Sequence, residues 1–210
     1  DLFEEAFDYL PFACLVEGHV LVLHGGIGKG DWDLNNLRNV RRPINDKALA
    51  LPQNKWLLNI LWSDPIEDDF ELTDSEDGSQ LACKVSGVHL SPRKDQAVVF
   101  GWDVTKTFCA RNGLGMVVRS HQCKLEGLGF DVMHDGMLIR IFSARDYEGN
   151  GNDSAILSIR KSDLDVPESD QDDLCRTTSL GMVSLGTVND NETVKLTARV
   201  QGFASLNKRA

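Results

Sequence analysis

Four apolar residues in succession, Val20 to Leu23, run directly into His24-Gly25-Gly26-Ile27-Gly28. A short apolar run stopped by glycine reads as a strand. A strand ending in small, flexible residues can hold one side chain firmly while letting a ligand approach closely. His24 is the side chain presented in this way. With 210 residues, 41% of them apolar, the chain can surround such a strand with one ordinary core.

Upstream, Leu2, Phe3, Ala6, Phe7 and Leu10 fall at helical spacing, and Pro11 ends that helix because it cannot donate a backbone hydrogen bond. Asp31 or Asp33 can cap a short helix through Leu34, Leu37 and Val40, and Pro52 begins a second apolar segment through Trp56, Leu57, Leu58, Ile60, Leu61 and Trp62. From Asp64 to Gly78 acidic residues dominate, which predicts a solvated surface loop. Val98 to Phe100 reads as a strand, Asp103 as the cap of a helix, and Asn112-Gly113 as its end. Strands follow at Met116–Arg119, Phe130–Met133, Met137–Phe142 and Ala155–Ile159, with His134-Asp135-Gly136 as a hairpin turn. The run Thr193 to Val200 alternates, so that Val194, Leu196, Ala198 and Val200 share one face of a last strand. The chain is mixed α/β with a β-rich second half.

Composition excludes several classes. A net charge of −10 repels nucleic acid and anionic membranes, so any phosphate site must be a local one. No apolar run reaches the length of a membrane helix, and no signal-peptide pattern is present, so a soluble cytoplasmic or nuclear protein is expected. Five scattered cysteines without a CxxC pair argue for reduced thiols rather than a disulfide framework or a thiolate zinc site.

His24 and His121 both follow strands and are flanked by polar or glycine residues, a placement that suits metal ligands as well as structural histidines. The Gly25–Gly30 stretch invites a nucleotide-loop reading but fails it. The spacing before the Gly-Lys step is wrong, and Gly30 stands where Ser or Thr should meet the metal.

Five short strings occur in order: Leu10-Pro11-Phe12-Ala13, His24-Gly25-Gly26, Leu61-Trp62-Ser63-Asp64-Pro65, Arg119-Ser120-His121-Gln122, and Phe142-Ser143-Ala144-Arg145-Asp146-Tyr147. Together, over residues 2 to 160, they resemble the phosphoprotein phosphatases. Ile27-Gly28 and Arg42-Pro43-Ile44 look most like the Kelch-repeat branch. The resemblance implies a metallophosphoesterase-like β-sandwich flanked by helices, of the calcineurin-like type. It also implies two divalent metal ions, Mn, Fe or Zn, with His24 and His121 as ligands. Two such ions lower the pKa of a water, so that hydroxide exists near neutral pH to attack phosphorus.

A phosphate dianion also needs fixed positive charge, for which guanidinium is suited. Arg93 is the candidate by resemblance, although Lys94 stands where the family has glycine and could serve instead; a plain surface arginine is the alternative. Tyr147 matches the tyrosine that overhangs the family site, with Asp146 in place of Asn and Glu148 in place of Cys, and the added negative charge would repel substrate unless offset. Asp64 lies near the site mouth in relatives and would meet basic groups of substrates or inhibitors, or serve as a loop or capping residue.

The family's Asp-x-His, Asp-with-Arg and Asn-His strings do not occur here, so the N-terminal half of the catalytic domain is missing, and the general acid with it. No catalytic residue is therefore assigned, the chain alone is expected to be inactive, and removal of half a fold should expose apolar surface. Residues 1–161 are read as the C-terminal portion of a phosphatase catalytic domain, 162–192 as an acidic polar insertion, 193–203 as the final sandwich strand and 204–210 as a tail. The parent would hydrolyse phosphoserine and phosphothreonine on proteins, with phosphoprotein substrates and regulatory subunits or a Kelch-type domain as partners. A degenerate, non-catalytic scaffold that binds basic partners is the second reading. A phosphoesterase acting on nucleotides or small phosphates is a third, disfavoured by the strings themselves.

Overall fold

The computed structural model describes residues 2–67, 70–74, 80–93, 97–124, 129–161 and 196–205. Lys94, the 162–192 insertion, Cys175 and the tail beyond Ser205 lie outside the described residues. The chain divides into two compact units. One comprises residues 1–119 with 133–138, the other residues 120–132 with 139–210.

The first unit opens with helix α1 (Leu2–Phe7), none of whose residues is buried. Strand β1 (Ala13–Val16) turns through Glu17 and Gly18, both at positive φ, into β2 (Val20–Leu23), its antiparallel partner. The sequence reading missed β1, three of whose residues are half-buried and one, Cys14, exposed. Strand β2 pairs on its other side, in parallel, with β8 (Met116–Arg119), matching Leu21 with Val117. All four residues of β8 are buried, and three of the four in β2.

Helix α2 (Leu34–Arg38) is capped by Asp33, whose carboxylate accepts from the Asn36 N–H at 2.8 Å, as expected for an aspartate at an N-cap. A short helix, α3 (Asp46–Leu49), and a 3-10 turn over Pro52–Asn54 lead into α4 (Lys55–Trp62), which buries Leu57, Asn59 and Ile60. The expected solvated loop after Asp64 is instead two strand features. Asp64–Pro65 forms β3, parallel to β7 (Val98–Phe100), and β4 (Phe70–Asp74) pairs antiparallel with β5 (Gln80–Lys84). Acidic composition predicted solvation, but backbone pairing does not depend on side-chain charge. Strand β6 (Val88–Leu90) completes a three-stranded sheet beside β7.

Helix α5 (Trp102–Asn112) ends at Gly113 in the left-handed conformation, as read from the sequence. Its N-cap is Gly101, not Asp103; the Asp103 carboxylate accepts from the Gly87 N–H at 2.8 Å instead. The core of the unit gathers Leu21, Ile27, Leu57, Phe100 and Phe108 around Trp32, whose indole N–H donates to the Ile27 carbonyl at 2.9 Å. Each such apolar side chain contributes about 1.5–3 kcal/mol by leaving water. Leu2, Phe3, Phe7 and Leu10 remain exposed on the surface of this unit.

The second unit carries residues 130–132 of β9 (Phe130–Met133) beside residues 139–141 of β10 (Leu138–Ile141), and the antiparallel pair β11 (Ser154–Lys161) and β12 (Leu196–Phe203). The last strand was expected at 193–203, of which residues 193–195 lie outside the described residues. Its described part begins at Leu196 and runs to Phe203, with Ser154 opposite Phe203 and Val200 fully buried. Among the described residues, no helix is long and apolar enough to cross a membrane.

Candidate phosphoesterase site

In the first unit, the ends of β2, α4 and β8 meet around one buried guanidinium. Arg119, at the end of β8, is 1% exposed. Its Nε donates to the Gly25 carbonyl at 2.5 Å, and its Nη2 donates to Asp64 Oδ1 at 2.7 Å and to the Ser63 carbonyl at 3.3 Å. A cation removed from water is tolerated only when its donors are used in this way. Asp64 is 3% exposed and gives its second oxygen, Oδ2, to Arg93 Nη1 at 3.2 Å. Asp64 therefore faces two arginines inside the unit.

The glycines after β2 have a steric reason. A Cβ on Gly25 would lie 2.5–2.7 Å from the backbone of Leu61 and Trp62, and one on Gly26 would enter the Phe100 ring. The Gly25 N–H donates to the Ile60 carbonyl at 2.7 Å, and the Gly28 N–H donates to Ser63 Oγ at 3.0 Å. Ser63 Oγ in turn donates to the Asn59 carbonyl at 2.6 Å. The loop is thus closed against the end of α4, and the N–H groups of Gly25 and Gly28 are occupied by the protein.

His24 stands on this rigid turn and reaches the surface. Partial burial of the ring lowers its pKa, the Arg119 charge lowers it further, and Asp64 acts in the opposite direction. The net result favours neutral imidazole, the form that ligates metal. Arg93 keeps 42% of its side chain exposed while Asp64 holds one of its nitrogens.

His121 and Tyr147 belong to the second unit. His121 follows the end of β8 at φ 66, and Tyr147 lies 44% exposed in the loop after β10. The Tyr147 ring meets Phe142 edge-on with centroids 5.4 Å apart, and its N–H donates to Asn152 Oδ1 at 2.8 Å. Burial, then the Glu148 charge, raises the Cys123 thiol pKa, so this cysteine stays protonated.

The fit to divalent metal is partial. His24 supplies a neutral donor, but among the described residues no group of three or more His, Cys, Asp or Glu side chains could hold a metal ion. Sequence reasoning missed Arg119 as a site residue. It stands in the Arg119-Ser120-His121-Gln122 string, and its signal was a charged residue closing an otherwise apolar strand.

The chain is thus a mixed α/β protein with a histidine and an anchored arginine at its strand ends. The chain belongs to the calcineurin-like phosphoesterase family, whose model matches residues 1–125. It is similar to serine/threonine-protein phosphatase BSL2 of Arabidopsis thaliana, 32% identical over 76% of this chain and 14% of that protein. Serine/threonine-protein phosphatase 5 of Arabidopsis thaliana is 36% identical over 78% of this chain and 26% of its own length, and that of Homo sapiens 31% identical over 78% and 28%. A solved structure of a Saccharomyces cerevisiae protein serine/threonine phosphatase with similarity to human phosphatase PP5 shares the fold. Its TM-score is 0.61 at 22% identity, over 96% of this chain and 49% of that one. The chain thus spans 14% to 28% of the length of these curated relatives.

Proposed function

We propose that this chain supplies the C-terminal part of the catalytic domain of a metal-dependent phosphatase that hydrolyses phosphoserine and phosphothreonine on proteins in the cytoplasm or nucleus. The carrying observation is Arg93, held by Asp64 at 3.2 Å yet 42% exposed, a guanidinium oriented by the fold and still open to a ligand. Guanidinium matches a phosphate dianion through paired hydrogen bonds, and a pre-set orientation lowers the entropy lost on binding. Tyr147, half-exposed on its loop, is assigned to the substrate side of the site.

His24 and His121 are assigned as ligands of a divalent ion, manganese, iron or zinc, and the remaining donors and the general acid to the half of the domain absent from this sequence. Bound ions of this kind supply Lewis acidity and a nucleophile at neutral pH. This chain's own contribution is to keep the His24 imidazole neutral, orient Arg93 and close the glycine turn against α4. Regulatory subunits or a Kelch-type domain in a longer protein belong to the same proposal.

The test is phosphate release from a phosphoserine peptide by the manganese-loaded protein containing this chain and its complementary half, compared with R93A. A loss of roughly 100-fold or more in kcat is expected, the scale of removing one preorganised charge-stabilising donor. No phosphate release from the unaltered protein overturns the reading. A non-catalytic phosphatase scaffold is the second reading. It is favoured by the carboxylates flanking Tyr147, Asp146 and Glu148, and retained peptide binding without hydrolysis would support it.

A further inference from the structure

Ser205 lies two residues beyond β12 and is fully buried. Its hydroxyl donates to Asp146 Oδ1, and its backbone N–H donates to Asp153 Oδ1 at 2.7 Å. Asp146 and Asp153 bracket the loop that carries Tyr147, so one residue holds both ends of that loop. Within it, Asn152 is fully buried. Its Oδ1 accepts from the Tyr147 N–H, and its Nδ2 donates to the Ala144 carbonyl at 2.7 Å.

The loop needs an outside anchor. Asp146 and Glu148 both sit at φ 52, in the left-handed region that side-chain-bearing residues seldom occupy, and such a backbone persists only where its surroundings over-determine it. An ionised carboxylate can only accept hydrogen bonds, so Asp146 requires donors. Ser205 provides one, and Arg145 Nε lies 3.8 Å from the other oxygen. The anchor itself is stiff, because β12 is paired with β11 along its length, and Ser154, which follows Asp153, is opposite Phe203, two residues before Ser205.

We propose that Ser205 is a positioning residue for Tyr147. By tying Asp146 and Asp153 to the end of β12, it fixes the turn on which the tyrosine stands. The inference rests on the reading of Tyr147 as substrate-facing, and it makes the end of the last strand, distant in sequence, part of the substrate-binding apparatus.

The chain contains two tyrosines, Tyr9 and Tyr147, so labelling with fluorotyrosine gives two fluorine resonances, assigned with Y9F. S205A is expected to broaden the Tyr147 resonance and move it toward the free-tyrosine position while leaving Tyr9 in place. S205T, which restores the hydroxyl, should return it. A Tyr147 resonance unmoved in S205A overturns the proposal. Should S205A lose its circular-dichroism signal, S205C decides, since a thiol fills the site but donates far more weakly. A Tyr147 resonance displaced in S205C supports the tether, and an unchanged one sinks it. Adding a phosphoserine peptide to the manganese-loaded protein that contains this chain and its complementary half tests the other reading separately. If the peptide moves neither resonance while S205A frees Tyr147, the tether stands and the substrate assignment fails.

Discussion

Arg119 donates to Asp64 at 2.7 Å with its side chain fully buried and that of Asp64 only 4% exposed, across 55 residues of sequence. Deleting one partner of such a pair leaves a buried charge without compensation, which costs about 3–5 kcal/mol. D64A should lower the unfolding free energy of the chain by that order in a urea titration, and D64N, which keeps an acceptor oxygen, by less. A loss under ~1 kcal/mol in D64A would show that the pair does not link the strand to the end of α4.

Arg93 makes the contrasting case. Its contact with the same carboxylate is longer, 3.2 Å, and its side chain is 42% exposed, so solvent screens it. R93A should change stability by about 0–1 kcal/mol. D64A should nonetheless weaken phosphate binding at Arg93, because the guanidinium loses its orienting partner. Chemical-shift titration with inorganic phosphate measures this, and equal affinity in D64A and the unaltered chain would contradict the assignment.

At Gly25 a methyl group would meet the backbone of Leu61 and Trp62 at 2.5–2.7 Å, where no side chain can move aside. Overpacking of this kind costs about 1–3 kcal/mol. G25A should therefore lower the thermal midpoint and shift the His24 ring resonances. G87A provides a control, since nothing lies within 4 Å of a Cβ there and only its backbone angle opposes the change.

Burial and the Arg119 charge depress the His24 pKa, so in the folded state the ring gives up its proton below the ordinary value of about 6.5. The unfolded chain then binds more protons in that window. The contribution of His24 to stability is present above pH ~6.5 and is lost as pH falls through the folded pKa. Proton NMR should place its midpoint below that of an unstructured histidine, and a midpoint at or above it would refute the assignment. Asp131 acts in the same sense at lower pH. Its burial favours the neutral form, but hydrogen bonds and charge from Lys124 and Arg140 prevail and lower its pKa, so its contribution is lost as acid drives the carboxylate through that lowered value.

Thr105 Oγ1 and His134 Nδ1 share a hydrogen bond of 2.8 Å between two fully buried residues, with the Phe100 ring edge-on to the imidazole. T105V keeps the shape and removes the hydroxyl, which should cost about 1–3 kcal/mol. Guanidinium unfolding of the variant checks this, and an unchanged midpoint would mean that the histidine does not depend on the threonine.

Legibility in the sequence followed the range of the interactions concerned. Strand β2, the α2 cap at Asp33 and the glycine end of α5 were readable because each depends on periodicity or on a residue within one turn. The pairing of β4 with β5 was not, because acidic residues signal solvation and only cross-strand hydrogen bonds define it. The Gly25-Gly26 pair was conspicuous in the sequence, but flexibility was the wrong inference. The residues are small because α4 and Phe100 occupy the space.

Sequence alone determined the mixed α/β character, the five ordered strings and, through them, the phosphatase resemblance, because these are properties of neighbouring residues. Only the tertiary structure decided what the polar residues face. Asp64 turns both oxygens to arginines 29 and 55 residues away, and Ser205 reaches Asp146 across 59 residues. The physical reason is that a charge or hydroxyl shares no periodicity with its partner. Which groups are satisfied together is settled when the chain closes on itself and each buried donor must find an acceptor.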